Sequence, residues 1–390
     1  MRERTMRGTF LVEIACAAAM FAGCAGEMAD PSQSSSESAA VVGRRDPKLT
    51  PQTSGTTNRL QAISPVNSKV VWASGLGGTY AVTTDGGKTW TAHVVPGAEA
   101  LQFRDVQAVS AREAYLLSAG VGTDSRIYKT VDGGATWTLE FQNQDPNGFY
   151  DCFAFWSPRR GITMADSING RFPVVRTTDG LTWTDIGDEL PVALAGESAF
   201  AASGTCVATQ GQSRAWIATG AAERARVLAT TDGGNTWAAF DTPIVQGTGS
   251  SGGFSVAFRD RRHGILGGGE LATPTALSDN FARSSDGGHT WQLGARAPIP
   301  GAIFGLAYAI NDRGNHGNGD GDDDDQGDED DRDGRATVVG TGPGGTALSS
   351  DEGDSWVLLD GLANFWAVAF ADAKTGWLVG TQGRIVKIEL

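Results

Sequence analysis

The sequence is poor in the residues on which many catalytic and metal sites depend. It has only four histidines, four cysteines and five tyrosines in 390 residues, and it contains no Cys-x-x-Cys pair or Cys/His cluster. This pattern gives no support to a zinc or redox-thiol site. The four histidines, His93, His263, His289 and His316, lie in unrelated turn or loop contexts, so no catalytic histidine and no metal site is predicted.

Long helical periodicity and an excess of basic residues are also lacking. Glycine is abundant at 54 residues, which is typical of short strands and tight turns. Lysine and arginine number 31 against 45 acidic residues, and the resulting net charge of −14 argues against nucleic acid as the main partner.

Much of the negative charge is local. Residues 312–335 hold eleven acidic and three basic side chains. We expect this segment to be a solvated, disordered loop that interrupts the sixth repeat module of the chain. Weak cation binding by residues 320–333 is the alternative, because Asp322 and Asp324 loosely follow a calcium-loop spacing. No other cofactor is predicted.

The N-terminus has the pattern of an export signal. Arg2, Arg4 and Arg7 precede an apolar stretch, residues 10–22, that is too short to span a bilayer. Phe21-Ala22-Gly23-Cys24 resembles the lipobox of bacterial lipoproteins, which implies that Cys24 is lipidated. We therefore expect a lipoprotein-type signal peptide over 1–24 and a flexible Ser-rich tether over 25–46, in an envelope lipoprotein on the periplasmic side or cell surface. Ordinary secretion of a soluble periplasmic protein and a cytoplasmic protein are the alternatives.

One eight-residue phrase organises the rest of the chain. It first appears as Thr83-Thr84-Asp85-Gly86-Gly87-Lys88-Thr89-Trp90, and each copy lies between two short alternating apolar runs. A strand, an Asp-Gly turn and a second strand predict a β-hairpin in which Asp accepts local hydrogen bonds and Trp fills the gap between sheets. The structural Asp and Trp pairs are Asp85 and Trp90, Asp132 and Trp137, Asp179 and Trp183, Asp232 and Trp237, Asp286 and Trp291, and Asp351 and Trp356.

The spacing of this phrase predicts the fold. Its copies recur every 47 to 65 residues, a period typical of strand-rich propeller blades. Three further strands follow Trp356, and an unassigned strand candidate, residues 48–56, precedes the first module. We predict an all-β, seven-bladed propeller over 47–390 with four-stranded antiparallel blades, whose ring is closed by the N-terminal strand joining the C-terminal blade.

The phrase resembles the Asp-box, or BNR repeat, of sialidases, sortilin-like receptors and the photosystem II stability/assembly factor family. Thr53-Ser54-Gly55-Thr56, together with Gly376-Trp377-Leu378-Val379-Gly380, is most similar to the assembly-factor group. The resemblance implies a non-catalytic binding or assembly scaffold. We expect an envelope protein or a glycan as partner, a monomeric chain, and membrane contact only through the lipid anchor.

A sialidase-like glycoside hydrolase, or a glycan-binding propeller, is the alternative. Sialidases of this repeat type carry an arginine triad, a Tyr/Glu nucleophile pair and a Phe/Tyr-Arg-Ile-Pro phrase ahead of the first module. That phrase is missing here, and no tyrosine lies in a nucleophile motif. No catalytic residue is therefore predicted.

Several arginines form a candidate binding site. Arg126, Arg226 and Arg384 open the third strand of modules two, four and seven, on the face opposite the Asp-box turns. Arg104, Arg171 and Arg259 lie nearby in loop or strand-end contexts, so a cationic patch for an anion or an acidic partner is one interpretation. The alternative is that these arginines form ordinary ion pairs with Asp105, Asp151, Asp166 or Asp260.

Cys152 and Cys206 lie one module apart at comparable positions in apolar strands. An oxidising compartment would permit a disulfide between them, and two buried thiols are the alternative.

Overall fold

The computed structural model describes residues 46–310 and 335–390, which form seven four-stranded antiparallel sheets. The predicted signal peptide and the lipidation site Cys24 lie outside these residues, as do the tether except for Asp46 and the acidic segment except for Arg335. No helix in the described part of the chain is long and apolar enough to cross a membrane.

The strands follow one another in the order of the blades. The first strand is β1 (Lys48–Thr53). Blade one contains β2 (Leu60–Pro65), β3 (Val71–Gly75), β4 (Thr79–Thr83) and β5 (Thr91–Val94). Blade two contains β6 (Phe103–Ala108), β7 (Ala114–Ser118), β8 (Arg126–Thr130) and β9 (Thr138–Gln142). Blade three contains β10 (Tyr150–Ser157), β11 (Arg160–Ala165), β12 (Val175–Thr177) and β13 (Trp183–Asp185). Blade four contains β14 (Val207–Gln210), β15 (Arg214–Ala218), β16 (Arg226–Thr230) and β17 (Ala238–Asp241). Blade five contains β18 (Ser251–Phe258), β19 (Gly264–Glu270), β20 (Phe281–Ser284) and β21 (Gln292–Leu293). Blade six contains β22 (Gly305–Ala309), β23 (Thr337–Gly342), β24 (Gly345–Ser349) and β25 (Val357–Leu358). Blade seven contains β26 (Phe365–Phe370), β27 (Thr375–Gly380) and β28 (Arg384–Glu389).

The N-terminal strand closes the ring, as the sequence predicts. β1 pairs antiparallel with β28, from Lys48 opposite Glu389 to Thr53 opposite Arg384, and so becomes the fourth strand of blade seven. The first strands of the blades contact one another in sequence, and β26 of blade seven contacts β2 of blade one. This pairing removes both free edges, because the first and last described strands hydrogen-bond to each other.

Each blade is buried at its inner strands and exposed at its outer strand. The second strands, such as β7 and β15, are almost entirely buried, whereas the fourth strands, such as β5 and β25, are mostly exposed. The inner strands are therefore rich in apolar and small residues, since their side chains pack against both neighbouring blades.

The antiparallel order gives the propeller two distinct faces. The turns between first and second strands and the Asp-box turns between third and fourth strands lie on one side, which we call the Asp-box face. The loops between second and third strands and the links from one blade to the next lie on the other side, which we call the mouth face. The first and third strands begin at the mouth face.

The Asp-box turns have the hydrogen bonds predicted for them. Asp85 accepts bonds from the Thr83 hydroxyl (2.9 Å), the Thr89 amide (2.9 Å) and the Thr89 hydroxyl (2.7 Å). Gly86 and Gly87 have positive φ angles of 76° and 82°, which favour glycine. The bonds from Thr89 lower the pKa of Asp85 to about 2, because they stabilise its charged form.

The Asp-box tryptophans pack between blades. Trp137 of blade two lies edge-on to Trp72 and Tyr80 of blade one, with ring centroids 6.2 and 5.1 Å apart. Trp356 of blade six contacts Phe281 of blade five in the same way at 5.0 Å. These contacts tie blade two to blade one and blade six to blade five.

The short third copy has a tighter turn. Asp179 accepts bonds from the amides of Leu181 (2.8 Å) and Thr182 (2.7 Å), two and three residues ahead. In the full-length copies the Asp bonds the amide four residues ahead, as Thr236 bonds Asp232. The missing residue therefore shortens the loop but preserves the carboxylate's role.

Candidate functional site

The candidate site lies at the mouth of the central channel, where the first strands begin. A β-bulge near the start of the first strand in five blades places one extra residue at the same register. In blade six, Phe304 takes the same place, since its amide bonds Thr341, the residue that pairs with Gly305. The residues at this position are Gln61, Arg104, Asp151, Phe254, Phe304 and Trp366.

One side of the mouth is aromatic. Phe254 of blade five stacks on Phe304 of blade six with ring centroids 5.7 Å apart and planes 4° from parallel. Phe304 meets Trp366 of blade seven edge-on at 5.7 Å, and Phe200 stacks on Phe254 at 3.9 Å. We call these four side chains the aromatic arc. Phe254 is buried and the other three are half-buried, so the arc presents apolar surface to the mouth.

The other side of the mouth is charged. The Arg59 guanidinium lies 4.7 Å from the ring centre of Trp366, and Arg104 is its electrostatic neighbour. Arg104 donates to the side-chain oxygen of Gln102 (2.6 Å) and to the carbonyl of Ala201 (3.3 Å). Burial lowers the pKa of both arginines, and the pKa of Arg104 is lowered further by the charge of Arg59.

Two carboxyl groups complete the charged side. Asp151, at the bulge of blade three, and Asp166, after β11, are neighbours, since Tyr150 pairs with Ala165 and the Asp166 amide donates to the Phe149 carbonyl (2.9 Å). The charges of Asp166 and Arg104 both act on Asp151. Oδ2 of Asp151 and Oδ1 of Asp166 receive no hydrogen bond from a protein donor in the described part of the chain. Burial raises the pKa of Asp166 to about 6 and raises that of Asp151 well above its ordinary value, the Asp166 charge adding to the second shift.

Residues 199–205, which we call the channel plug, form the floor of the mouth. They precede the short first strand β14 and cross the channel instead of extending that strand. The Ala201 carbonyl meets Arg104 of blade two, while the Ser203 hydroxyl donates to the Phe304 carbonyl of blade six (2.6 Å). The carbonyl of Thr205 accepts from Val256 of blade five (2.9 Å). Contacts to three separate blades fix the plug across the ring.

Small residues are required for this path. Gly204 has a φ of +78°, and a Cβ there would lie 2.3 Å from a carboxyl oxygen of the buried Asp105. Cys206 directly follows the plug and forms a disulfide with Cys152, with the two Cα atoms 5.9 Å apart. Cys152 in turn directly follows Asp151. Of the two states considered for this pair, the structure has the disulfide, and it joins the plug to the strand that carries the carboxyl pair.

The six sequence-predicted arginines do not form one patch. Arg104 alone belongs to the mouth. Arg226 is buried in an ion pair with Glu197, whose side chain is fully buried, and Arg171 binds Asp185 (2.8 Å) and Asp188 (2.6 Å). The charges of Arg226 and Arg171 are therefore already matched.

The remaining three arginines are also held locally. Arg126 donates to the Thr123 carbonyl (2.6 Å), and Arg384 lies over Phe365 at 4.3 Å. Arg259 follows β18 and therefore lies on the Asp-box face, where it binds Glu352 (2.8 Å) and Asp260 (3.1 Å). The prediction that Arg259 lies near the mouth-face arginines is wrong, because a first strand ends at the opposite face from where it begins.

A Tyr/Glu pair does occur near Arg259, but it is closed. The Tyr308 hydroxyl donates to Glu352 (2.8 Å), and the same carboxylate binds Arg259. Burial raises the pKa of Tyr308 well above its ordinary value. A buried tyrosine under a matched ion pair, on the Asp-box face, ties blade five to blade six and offers no open arginine triad for a substrate carboxylate.

Sequence reasoning missed Arg59, Trp366 and the aromatic arc, and it treated Asp151 and Asp166 only as ordinary ion-pair partners. The bulge explains this, because an extra residue breaks the two-residue alternation from which inward-facing positions are predicted. One signal was available: several first strands open with a large residue, a variable residue and a small one, as in Phe103-Arg104-Asp105 and Phe365-Trp366-Ala367.

Comparisons with known proteins agree with this architecture. Residues 81–92 match the model of the BNR/Asp-box repeat, and no curated protein matches the chain in sequence. The chain is similar in fold to YCF48 bound to D1 peptide, at 14% identity and a TM-score of 0.59, with 90% of this chain and 96% of that chain covered. It is also similar to YCF48 from Cyanidioschyzon merolae, at 15% identity and a TM-score of 0.57, with 87% and 98% covered.

Enzymes share the fold as well. The GH74 xyloglucanase from Xanthomonas campestris matches at 14% identity and a TM-score of 0.54, over 87% of this chain and 53% of that chain. At these identities the comparisons show the fold alone. The chain is a seven-bladed β-propeller carrying an Asp-box repeat, and propellers of this form include both a peptide-bound protein and hydrolases.

Proposed function

We propose that this protein is a non-catalytic binding scaffold whose channel mouth captures a polypeptide segment of a partner protein. The observation that carries the proposal is the mouth itself, where Arg59 stands beside an aromatic arc above a fixed floor. Arg59 is half-buried, and its buried Nε has no hydrogen-bond partner among the described residues. A donor of this kind fits a carboxylate, and the arc fits an apolar or aromatic side chain next to it.

The rim of the mouth face supports a protein as the partner. Val121, Val192 and Leu277 lie on loops of this face and are 64%, 79% and 49% exposed. Exposed apolar side chains around a half-buried aromatic pocket are typical of surfaces that bind another protein. A similar propeller bound to a D1 peptide lends further support to a peptide-sized ligand.

A peptide array tests the proposal directly. Twelve-residue peptides with Asp or Glu next to Phe or Leu are compared with the same peptides carrying Lys in place of the acid. We expect the acidic set to bind, and Arg59→Ala and Trp366→Ala to weaken binding by about tenfold or more each. Arg262→Ala, an exposed arginine on the Asp-box face, is the matched control. Equal binding of both peptide sets, or equal loss with the control variant, contradicts the proposal.

A glycan-directed hydrolase or lectin is the second candidate, and the aromatic arc beside two carboxyl groups is the observation that favours it. Two features weigh against hydrolysis. Asp151 is 1% exposed and so closed to a substrate, and Asp166 follows the strand paired with it, so the two lie side by side in one blade rather than on opposite sides of a bound sugar. Turnover of any member of a fluorogenic glycoside panel, lost in Asp166→Asn, would favour the enzyme over the scaffold.

We further propose that the protein is exported and anchored through Cys24. The disulfide between Cys152 and Cys206 supports export, since such bonds persist mainly in oxidising compartments. Radiolabelled palmitate should be incorporated by the full chain and not by Cys24→Ala. Unchanged labelling of that variant contradicts the anchor and leaves ordinary secretion.

A further inference from the structure

The proposed peptide capture assigns no role to the carboxyl pair, Asp151 and Asp166, at the mouth. Asp151 and Asp166 lie side by side next to the paired residues Tyr150 and Ala165, and one buried oxygen of each receives no hydrogen bond from the described residues. Asp151 is almost fully buried and Asp166 is half-buried. Two neighbouring carboxyl groups in a poorly solvated site resist being charged together, because like charges repel and burial disfavours the charged form.

The surroundings of the pair are fixed on every side. Arg104 faces it from blade two and Arg59 lies beyond Arg104 in blade one. The link between blades three and four faces the pair, since the Ser198 side chain and the amides of Ala199 and Ala201 favour its charged form. Ala199 and Ala201 belong to the channel plug, so the charge of the pair acts on the floor of the mouth.

The other charged groups nearby are matched or neutral. Asp105 accepts from the amides of Val106 (2.7 Å) and Phe153 (2.8 Å), and burial raises its pKa well above its ordinary value. Glu197 is paired with Arg226. Tyr150, next to Asp151, is buried, and this burial raises its pKa. Among the described groups that face it, the carboxyl pair is therefore the one whose charge changes between mildly acidic and neutral conditions.

We propose that ligand capture at the channel mouth is coupled to proton uptake by the Asp151–Asp166 pair, so that an anionic segment binds more tightly as the pH falls. This inference rests on the proposed function, since it concerns the same site. Protonation removes one negative charge from the wall beside Arg104 and leaves the charges of Arg59 and Arg104 to act on the ligand. By linkage, a bound carboxylate in turn favours the protonated pair.

The first test needs no ligand. The carboxyl-carbon NMR signal of Asp166 is followed between pH 3 and 9 in the free, full-length protein labelled with ¹³C-aspartate, with Asp166→Asn used for assignment. We expect its midpoint near pH 6, and a shift of that midpoint in Asp151→Asn. A midpoint near the ordinary value of 3.8 overturns the inference.

The second test measures binding of the tightest acidic peptide from the array at pH 5 and pH 7.5. We expect about tenfold tighter binding at pH 5, from the removal of one charge at the edge of the site. Asp166→Asn, which holds the position neutral, should bind at both pH values as the unaltered protein does at pH 5. Asp188→Asn, an exposed carboxylate paired with Arg171, is the control and should retain the full pH dependence.

The outcomes separate the two proposals. Equal affinity at both pH values, or unchanged pH dependence in Asp166→Asn, overturns proton coupling and leaves peptide capture intact. Failure of every acidic peptide to bind at either pH contradicts the proposed function and this inference with it.

Discussion

The two faces of the propeller are built on opposite principles. On the Asp-box face the same turn recurs six times, and each carboxylate takes its hydrogen bonds from residues within its own turn, as Asp85 does from Thr83 and Thr89. At the mouth, equivalent positions carry different residues, from Gln61 and Arg104 to Phe304 and Trp366. The residues of the turns that build the scaffold are alike from blade to blade, whereas the residues at the mouth, where a ligand can be recognised, differ.

Electrostatics follow the same division. Local hydrogen bonds lower the pKa of Asp85 and Asp132 to about 2, with the Thr136 hydroxyl the main donor to Asp132. At the mouth, burial raises the pKa of Asp166 to about 6. A carboxylate at the Asp-box face is therefore stabilised in its charged form, while a carboxyl group at the mouth is stabilised in its neutral form.

The largest expected effect concerns the frame that both faces share. Deleting the chain through Thr53 removes β1 and exposes the edge of β28, which should lower the free energy of unfolding by at least about 5 kcal/mol. A chain that begins at residue 46 keeps β1 and serves as control. Urea unfolding of both forms measures the difference, and equal stability would show that β1 does not close the ring.

Removing the disulfide should have the next largest effect. Replacing Cys152 and Cys206 together by Ser frees a loop of 54 residues in the unfolded chain, a loss of about 4 kcal/mol. Because the bond anchors the channel plug, peptide binding at the mouth should also weaken. Differential scanning calorimetry and the peptide assay test these expectations. If neither the stability nor the peptide affinity changes, the disulfide does not stabilise the mouth.

Loss of one Asp-box carboxylate should be smaller and confined to its own face. Asp232 accepts bonds from Thr230, Asn235 and Thr236, and Asp232→Ala should destabilise the protein by about 1–2 kcal/mol, allowing for solvent screening. The shorter turn at Asp179 should lose less on the same substitution. Neither variant should change peptide affinity. Chemical denaturation with the peptide assay checks both, and altered affinity would show that the faces are coupled.

The pH dependence of stability should have opposite signs at the two faces. Because the pKa of Asp85 is lowered, the stability it confers is complete above its ordinary value of 3.8 and is lost as the pH falls toward 2. Because the pKa of Asp166 is raised, its contribution is complete below 3.8 and is lost as the pH rises through about 6. The melting temperature, measured from pH 2 to 8, should decline above pH 4. Asp166→Asn should reduce this decline, and Asp85→Asn should leave it unchanged. The reverse result would contradict the assignment.

The sequence by itself determined the repeat, the blade count and the closure of the ring. These follow from local chemistry, because an Asp-Gly turn between two alternating runs specifies a hairpin, and an unpaired strand at each end requires a partner. It also placed Arg126, Arg226 and Arg384 correctly at the start of third strands.

Only the tertiary structure decided what those side chains contact. Arg226 meets Glu197 across 29 residues of chain, and the ring of the mouth joins Arg59 to Trp366 and Arg104 to Ala201 across blades. Which charges are matched and which remain open depends on bulges, on the path of residues 199–205 and on the order of blades around the axis. Apart from the short opening pattern of several first strands, these are long-range consequences of closing the ring that no local pattern in the chain encodes.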